Sequence, residues 1–252
     1  MSAVVITTRF SVRHKGVLPS EEWIGYRFDL LKCTALPSLS QQTVPNLAWV
    51  LSTAPEWYDY VSDLFQSVTL PNGVIKVIPQ GAGPESLQDI HPGVEDFITF
   101  RFDSDDALAS RAIERALAAS AHQGDGEVLL NLPSGIQLDW KTGEMFYRTF
   151  KPHYQGPFLA VKNVSRARML NTGGHHRRAR EFFRVVDVPG LNWVQVIHGR
   201  NVRNKIRKSV ELARMLKWAV EIFRGPQALT ADLRRVPRHL HQDLLAEFGI
   251  QM

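Results

Sequence analysis

The sequence predicts an α/β fold with a mostly parallel central sheet flanked by helices and closed by C-terminal helices. Three observations point there. Short apolar, β-branched runs alternate with helix-like stretches over residues 1–121, the rhythm of strand–helix–strand units. The runs are apolar almost throughout, as strands covered on both faces are. Residues 202–224 carry an apolar stripe of Leu212, Leu216, Ala219, Val220 and Phe223 at helical spacing, the mark of a helix with one buried face.

In chain order, residues 3–7 read as a first buried strand. Ser20 followed by Glu21 and Glu22 reads as a helix start, an oxygen cap with acids in the first turn. That helix is expected to run to about Ala35, where Pro37 limits it. Residues 47–52 read as a second strand, 56–66 as a helix after Pro55, and 74–78 as a third strand. The Gly- and Pro-rich stretch 79–93 reads as a loop. Residues 97–102 form a fourth strand, with Ile98, Phe100 and Phe102 on one face. A helix is then expected from Ala107 through 121, with Asp106 as its cap. Residues 128–132 and 136–150 read as short strands with a turn at 139–143, and 182–187 and 192–198 as two more. The long helix 202–224 ends at Gly225-Pro226, and a short helix over 230–248 closes the chain.

The 252 residues, 44% of them hydrophobic, suit a single domain that needs no disulfide or structural metal to fold. Its expected parts are an N-terminal half over 1–121, a middle over 122–201 and C-terminal helices over 202–252. The lone Cys33 reads as a small core hydrophobe, and a reducing, cytoplasmic location is the simplest expectation. Neither a signal peptide nor an apolar run of membrane-spanning length is evident. The net charge of +5 is concentrated in two clusters. One holds Arg177, Arg178, Arg180 and Arg184; the other Arg200, Arg203, Lys205, Arg207 and Lys208. Such clusters favour an anionic partner: phosphate, a lipid surface or nucleic acid.

The strongest chemical signal is Asp103-Ser104-Asp105-Asp106, three carboxylates where an apolar strand ends. Ligands of open α/β sheets bind beyond the carboxyl ends of strands. Divalent cations such as Mg²⁺ and Mn²⁺ take carboxylate oxygens together with substrate phosphate oxygens. Asp103 and Asp105 are therefore the expected metal pair, with His198, at the end of the apolar run before Gly199, as a third ligand. Arg200, Arg203 and Lys205 just beyond could clamp phosphate. The run Gly173-Gly174-His175-His176 offers an acid–base pair on a bendable backbone, with a basic loop as its plain alternative. There is no P-loop, dinucleotide glycine fingerprint, zinc spacing or serine-hydrolase elbow.

Four stretches together resemble the bacterial putative rhamnosyltransferases, glycosyltransferases of the GT-A type. They are Thr8-Arg9-Phe10; Trp23 to Arg27 leading to Leu36-Pro37-Ser38-Leu39 and Gln42-Thr43; residues 101–108; and residues 193–201. The resemblance implies a GT-A-like, nucleotide-diphospho-sugar transferase fold with a nucleotide-sugar over the N-terminal half. It implies that Asp103 and Asp105 form the metal-binding pair and His198 a C-terminal metal or diphosphate ligand. Thr8, Arg9 and Arg27 would lie near the donor.

The expected function is thus metal-dependent transfer of a sugar, with rhamnose suggested by the resemblance, from a nucleoside diphosphate donor to a glycan or lipid-linked acceptor. Mn²⁺ or Mg²⁺ is the expected cofactor. His175, His176 and Asp139 are candidates for the base that an inverting reaction needs. Two other classes share parts of the pattern. A metal-dependent nucleotide or phosphoryl-group enzyme would use the same acidic strand end. A nucleic-acid binder would use the basic clusters but leave the acids without a task, so no nucleic acid is expected. The basic face of 202–224 would also allow peripheral contact with the inner face of the cell membrane.

Overall fold

A computed structural model describes residues 3–14, 16–82, 91–94, 97–124, 126–150, 158–163, 183–200 and 231–252. Among these, β1 (Ala3–Ser11) is followed by α1 (Glu21–Cys33), α2 (Ala35–Ser40) and β2 (Leu47–Thr53). A 3₁₀ turn, Pro55–Trp57, leads into α3 (Tyr58–Gln66), β3 (Gly73–Pro79), β4 (Phe97–Arg101) and the two-residue β5 (Ala107–Leu108). Then come α4 (Ala112–Ala121), β6 (Val128–Leu132), β7 (Ser134–Asp139), β8 (Met145–Phe150), β9 (Phe158–Asn163), β10 (Arg184–Asp187), β11 (Trp193–Ile197), β12 (Ala231–Arg235) and α5 (His241–Glu247).

Seven strands form the main sheet in the order β10-β6-β9-β4-β1-β2-β3. Every adjacent pair is parallel except the two made by β9, which runs antiparallel to both β4 and β6. The expected mostly parallel α/β sheet is therefore present. The side chains alternate as the pleat requires. Val4 and Ile6 of β1, Trp49 and Leu51 of β2, and Ile98 and Phe100 of β4 enter one large core with Leu30, Leu31, Val61 and Phe65 of the helices. Val5, Ala48, Val50 and Phe97 form a smaller cluster on the other face. Each fully buried side chain of this size contributes about 1.5–3 kcal/mol. Trp49 is fully buried and its indole N–H still finds a partner, the Thr8 hydroxyl at 2.9 Å.

The second sheet runs β12-β8-β7-β11-β5. Its Ile136, Leu138, Trp193, Val194 and Val196 belong to the same large core, so the two sheets share one interior. Close approach fixes two glycines. A Cβ on Gly135 would lie 2.1 Å from the Trp193 ring, and one on Gly73 would lie 2.1 Å from the Leu47 carbonyl oxygen.

Five local expectations differ from what is observed. Pro37 does not end helical structure; the chain kinks at Thr34 and resumes as α2, where Pro37 sits in the first turn and its missing N–H costs nothing. The stretch from Ala107 does not start a helix. Ala107 and Leu108 pair antiparallel with Val194 and Trp193, and the helix begins at Ala112, so sheet pairing overrides helix propensity. Asp106 is consequently no helix cap. Residues 231–235 form strand β12 on β8 rather than part of a helix. Cys33 is half-buried rather than a core residue. The expected helix over 202–224 lies outside the described residues. Among the described helices none is long and apolar enough to cross a membrane.

Candidate active site

The strand order decides where a ligand can bind. β1 has β2 on one side and β4 on the other, all parallel. Connections leaving β1 and β4 diverge there, and the crevice beyond their carboxyl ends is the usual ligand site of an open α/β sheet. Residues 103–106 leave the carboxyl end of β4 at this point. They pass at once into β5, whose antiparallel partner is β11, with Trp193 opposite Leu108 and Val194 opposite Ala107. The residues before β5 and those at the end of β11 therefore emerge together. That brings His198 to the acidic turn, 93 residues away in sequence.

α1 supplies the third wall. Ser20 caps it, accepting the Trp23 N–H at 3.3 Å, and Ile24, Leu30 and Leu31 anchor it in the core. Arg27 is buried among them, and its guanidinium meets Asp105 in a two-pronged pair. Nη1 lies 2.6 Å from Oδ2 and Nη2 donates to Oδ1 at 2.8 Å. Nη2 also donates to the Ser104 hydroxyl at 2.5 Å. Asp105 Oδ2 lies 3.0 Å from His198 Nε2, and His198 Nδ1 lies 2.9 Å from the Tyr26 hydroxyl. An ionised Asp105 can only accept, so Nε2 donates to it. In the neutral imidazole Nδ1 then accepts from Tyr26. The side chains of Arg27, Asp105 and His198 are 11%, 8% and 0% exposed. Arg200 covers the outside of this network. Its guanidinium lies over the Tyr26 ring at 4.6 Å and reaches Glu22 at 3.4 Å, with half of its side chain exposed.

The two buried acids titrate in opposite directions. Burial pushes the Asp105 carboxyl up, but the Arg27 charge and the hydrogen bonds from His198 and Arg27 outweigh it and hold the group at about 2. For Asp106, burial and then the charges of Asp105 and Asp103 push the carboxyl well above the ordinary carboxylate range. The N–H of Val196, donated to Asp106 Oδ1 at 2.9 Å, opposes that rise. Asp105 thus adds stability above its ordinary value of 3.8 that is lost as pH falls toward about 2. Asp106 acts the other way. Its contribution is full below 3.8 and is lost as pH rises through its folded value. Asp106→Asn keeps an acceptor for Val196 and removes the titration. It is expected to flatten the loss of stability above about pH 4, read as urea midpoints across the neutral range. An unchanged slope in the variant would assign that loss to other groups.

Of the residues expected at the site, the fold gathers Arg27, Asp105 and His198 directly. Asp103 is half-buried beside them, close enough for its charge to act on Arg27 and Asp106, and its carboxylate makes no hydrogen bond or ion pair among the described residues. Arg200 flanks the network. Thr8 is buried beneath, bonded to Trp49, and Arg9 is exposed on β1. Asp139 stands opposite Ile197 in the sheet register. Its carboxylate accepts the N–H groups of Lys141 and Thr142 at 3.1 and 3.3 Å, shaping the β7–β8 turn. His175, His176, Arg203 and Lys205 lie outside the described residues. Tyr26 and Ser104 were not anticipated. Tyr26 gave no pattern in sequence beyond its place beside Arg27, and Ser104 stood in the acidic turn without a charge to mark it.

The residues in hand do not fit a three-ligand divalent ion as they are arranged. Both oxygens of Asp105 are engaged by Arg27, one of them also by His198, and both imidazole nitrogens of His198 are engaged. Among the described residues no group of three His, Cys, Asp or Glu side chains could hold a metal ion.

Comparison with known proteins gives one family and a set of distant structures. The model of the family described as "Putative rhamnosyl transferase" matches residues 9–209. Residues 1–349 of TarS from S. aureus, solved with UDP-GlcNAc, are 15% identical at a TM-score of 0.42, covering 98% of this chain and 71% of that one. The 4-diphosphocytidyl-2C-methyl-D-erythritol synthase of Anaerococcus prevotii is 13% identical at 0.37, covering 87% and 99%. A manganese complex of a Mycobacterium tuberculosis protein is 11% identical at 0.33, covering 76% and 89%. No curated protein matches.

Proposed function

Because the chain belongs to the Putative rhamnosyl transferase family, we propose that it moves a sugar from a nucleoside diphosphate donor to a hydroxyl group of a glycan or lipid-linked acceptor. One observation supports the placement above all. Polar and charged groups from α1, the turn after β4 and the end of β11 converge beyond the carboxyl ends of β1 and β4, where open α/β sheets bind ligands. The family description points to rhamnose as the sugar.

In the reaction the acceptor oxygen bonds to the anomeric carbon as the bond from that carbon to the diphosphate breaks. The nucleoside diphosphate leaves with the bonding pair, and the acceptor proton passes to a base. The protein's task is to orient the donor and to meet the charge developing on the leaving diphosphate with groups already in place. Arg200, exposed on its Tyr26 support, is a cation at the site that belongs to no buried pair and is the proposed partner of a phosphate oxygen. The side chains below it are held by hydrogen bonds and so need little reorganisation. His175 and His176 are the candidates for the base. Asp139 is the weaker one, since one of its carboxylate oxygens already accepts both turn N–H groups.

A thermal-shift screen of UDP, dTDP, GDP and CMP, each with Mn²⁺, with Mg²⁺ and in EDTA, tests the donor. One nucleotide at roughly 100-fold over its dissociation constant should stabilise the protein by about 2.7 kcal/mol. No shift with any of them, in folded protein, would remove the donor reading. With the matching sugar nucleotide and an acceptor, release of free nucleoside diphosphate is expected. Release of pyrophosphate or inorganic phosphate instead would make the chain a phosphoryl-group enzyme.

A further inference from the structure

We propose that Asp105 is a positioning residue rather than a metal ligand, and that the donor's diphosphate binds to a protein cation without an ion on the Asp103–Asp105 pair. This rests on the donor reading above and concerns how that donor is held.

Three features of the network lead to it. The first is the commitment of Asp105. Its two oxygens receive Arg27 Nη1 at 2.6 Å and Arg27 Nη2 at 2.8 Å, and His198 Nε2 adds a third contact at 3.0 Å. A planar guanidinium matched to a carboxylate in this way already places a positive charge against both of its oxygens. An ion entering at coordination distance would have to displace the guanidinium or sit against it, cation to cation.

The second is the commitment of His198. Its side chain is fully buried, with Tyr26 on one nitrogen and Asp105 on the other. A neutral imidazole has one lone pair to give, on the nitrogen that carries no proton. With Nε2 donating to Asp105, the nitrogen that keeps the lone pair is Nδ1, which lies 2.9 Å from the Tyr26 hydroxyl.

The third is where exposed charge is left. Arg27 and Asp105 neutralise each other below the surface. Above them Arg200 rests on the Tyr26 ring, tied to Glu22 and half exposed. The chain of contacts Arg27–Asp105–His198–Tyr26 therefore ends under Arg200. Asp105 acts on the diphosphate through this chain, by fixing the ring on which the exposed cation rests. Among the described residues the Asp103 carboxylate has no such partner, and it is half-exposed.

Isothermal titration of wild-type protein with UDP, dTDP, GDP and CMP, in EDTA and again in Mn²⁺, decides the first half. The expected result is one nucleotide whose dissociation constants in the two conditions agree within about tenfold. A nucleotide that binds more than about tenfold tighter with Mn²⁺ overturns the inference and leaves the donor reading intact. No binding in either condition overturns the donor reading itself. For the second half, Asp105→Asn and Tyr26→Phe are checked for folding by circular dichroism and titrated in EDTA. Each folded variant should bind the same nucleotide about tenfold or more weakly, a loss that a purely structural role would not produce in folded protein. Unchanged affinity in the folded variants overturns the positioning role. Tyr26→Phe removes a single hydroxyl and keeps the test open if Asp105→Asn does not fold.

Discussion

Arg27→Met is expected to destabilise the protein by about 3–5 kcal/mol, because it leaves the Asp105 carboxylate buried without its counter-ion. Three further contacts go with the guanidinium: the second prong of the ion pair, the Ser104 hydroxyl and the 3.4 Å approach to His198 Nε2. Urea denaturation measures this as a lower midpoint at unchanged slope. The companion variant separates stability from function. Arg27→Met with Asp105→Leu replaces the pair by apolar groups of similar size, and such exchanges are often neutral. The double variant should therefore recover most of the lost stability while donor binding stays weak. A double variant as unstable as Arg27→Met alone would mean that the ion pair is not the source of the effect.

Gly135→Ala is expected to cost at least the upper end of the ~1–3 kcal/mol typical of overpacking. The added Cβ would lie 2.1 Å from the Trp193 ring and 2.4 Å from the Trp193 carbonyl oxygen. Neither can give way. The ring is fully buried, packs against Phe150 and Phe158, and donates its indole N–H to the Leu132 carbonyl at 2.8 Å. The carbonyl belongs to β11, which is paired to β7 at this residue. For a chain of this size a loss of 3 kcal/mol lowers Tm by about 6–12 °C. A thermal melt within a degree or two of wild type would show that β7 and β11 can separate there. Because β11 ends at Ile197, the residue before His198, a strained β7–β11 pair should also weaken nucleotide binding.

The main strands were legible because their chemistry is local. Residues 3–7, 47–52, 74–78 and 97–102 are apolar and β-branched over several positions, and each is a strand of the main sheet. Ser20 with its following acids marked the start of α1 for the same reason, since a cap needs only its own neighbours. The turn at 139–143 was likewise readable from its own residues, and Asp139 does close it.

Tertiary structure decided what depends on partners distant in sequence. Ala107 and Leu108 have the composition of a helix, yet β11 claims them as a strand, and this exchange sets the direction in which the acidic turn faces. β9 pairs on both sides, with β4 and β6, and nothing in residues 158–163 announces an antiparallel strand inside a parallel sheet. The acidic turn itself was visible in sequence as a set of carboxylates. Their fates are not in the sequence: Asp105 is tied to Arg27 and His198, Asp106 is buried against the Val196 N–H, and Asp103 is half-exposed. Carboxylates of equal chemistry differ only in the partners and water that the fold leaves them. Sequence by itself thus determined the class of fold and the residues that could carry charge to the site. Packing of α1 and β11 against the turn decided what each charge is free to do, because burial and pairing are properties of neighbours rather than of the residue.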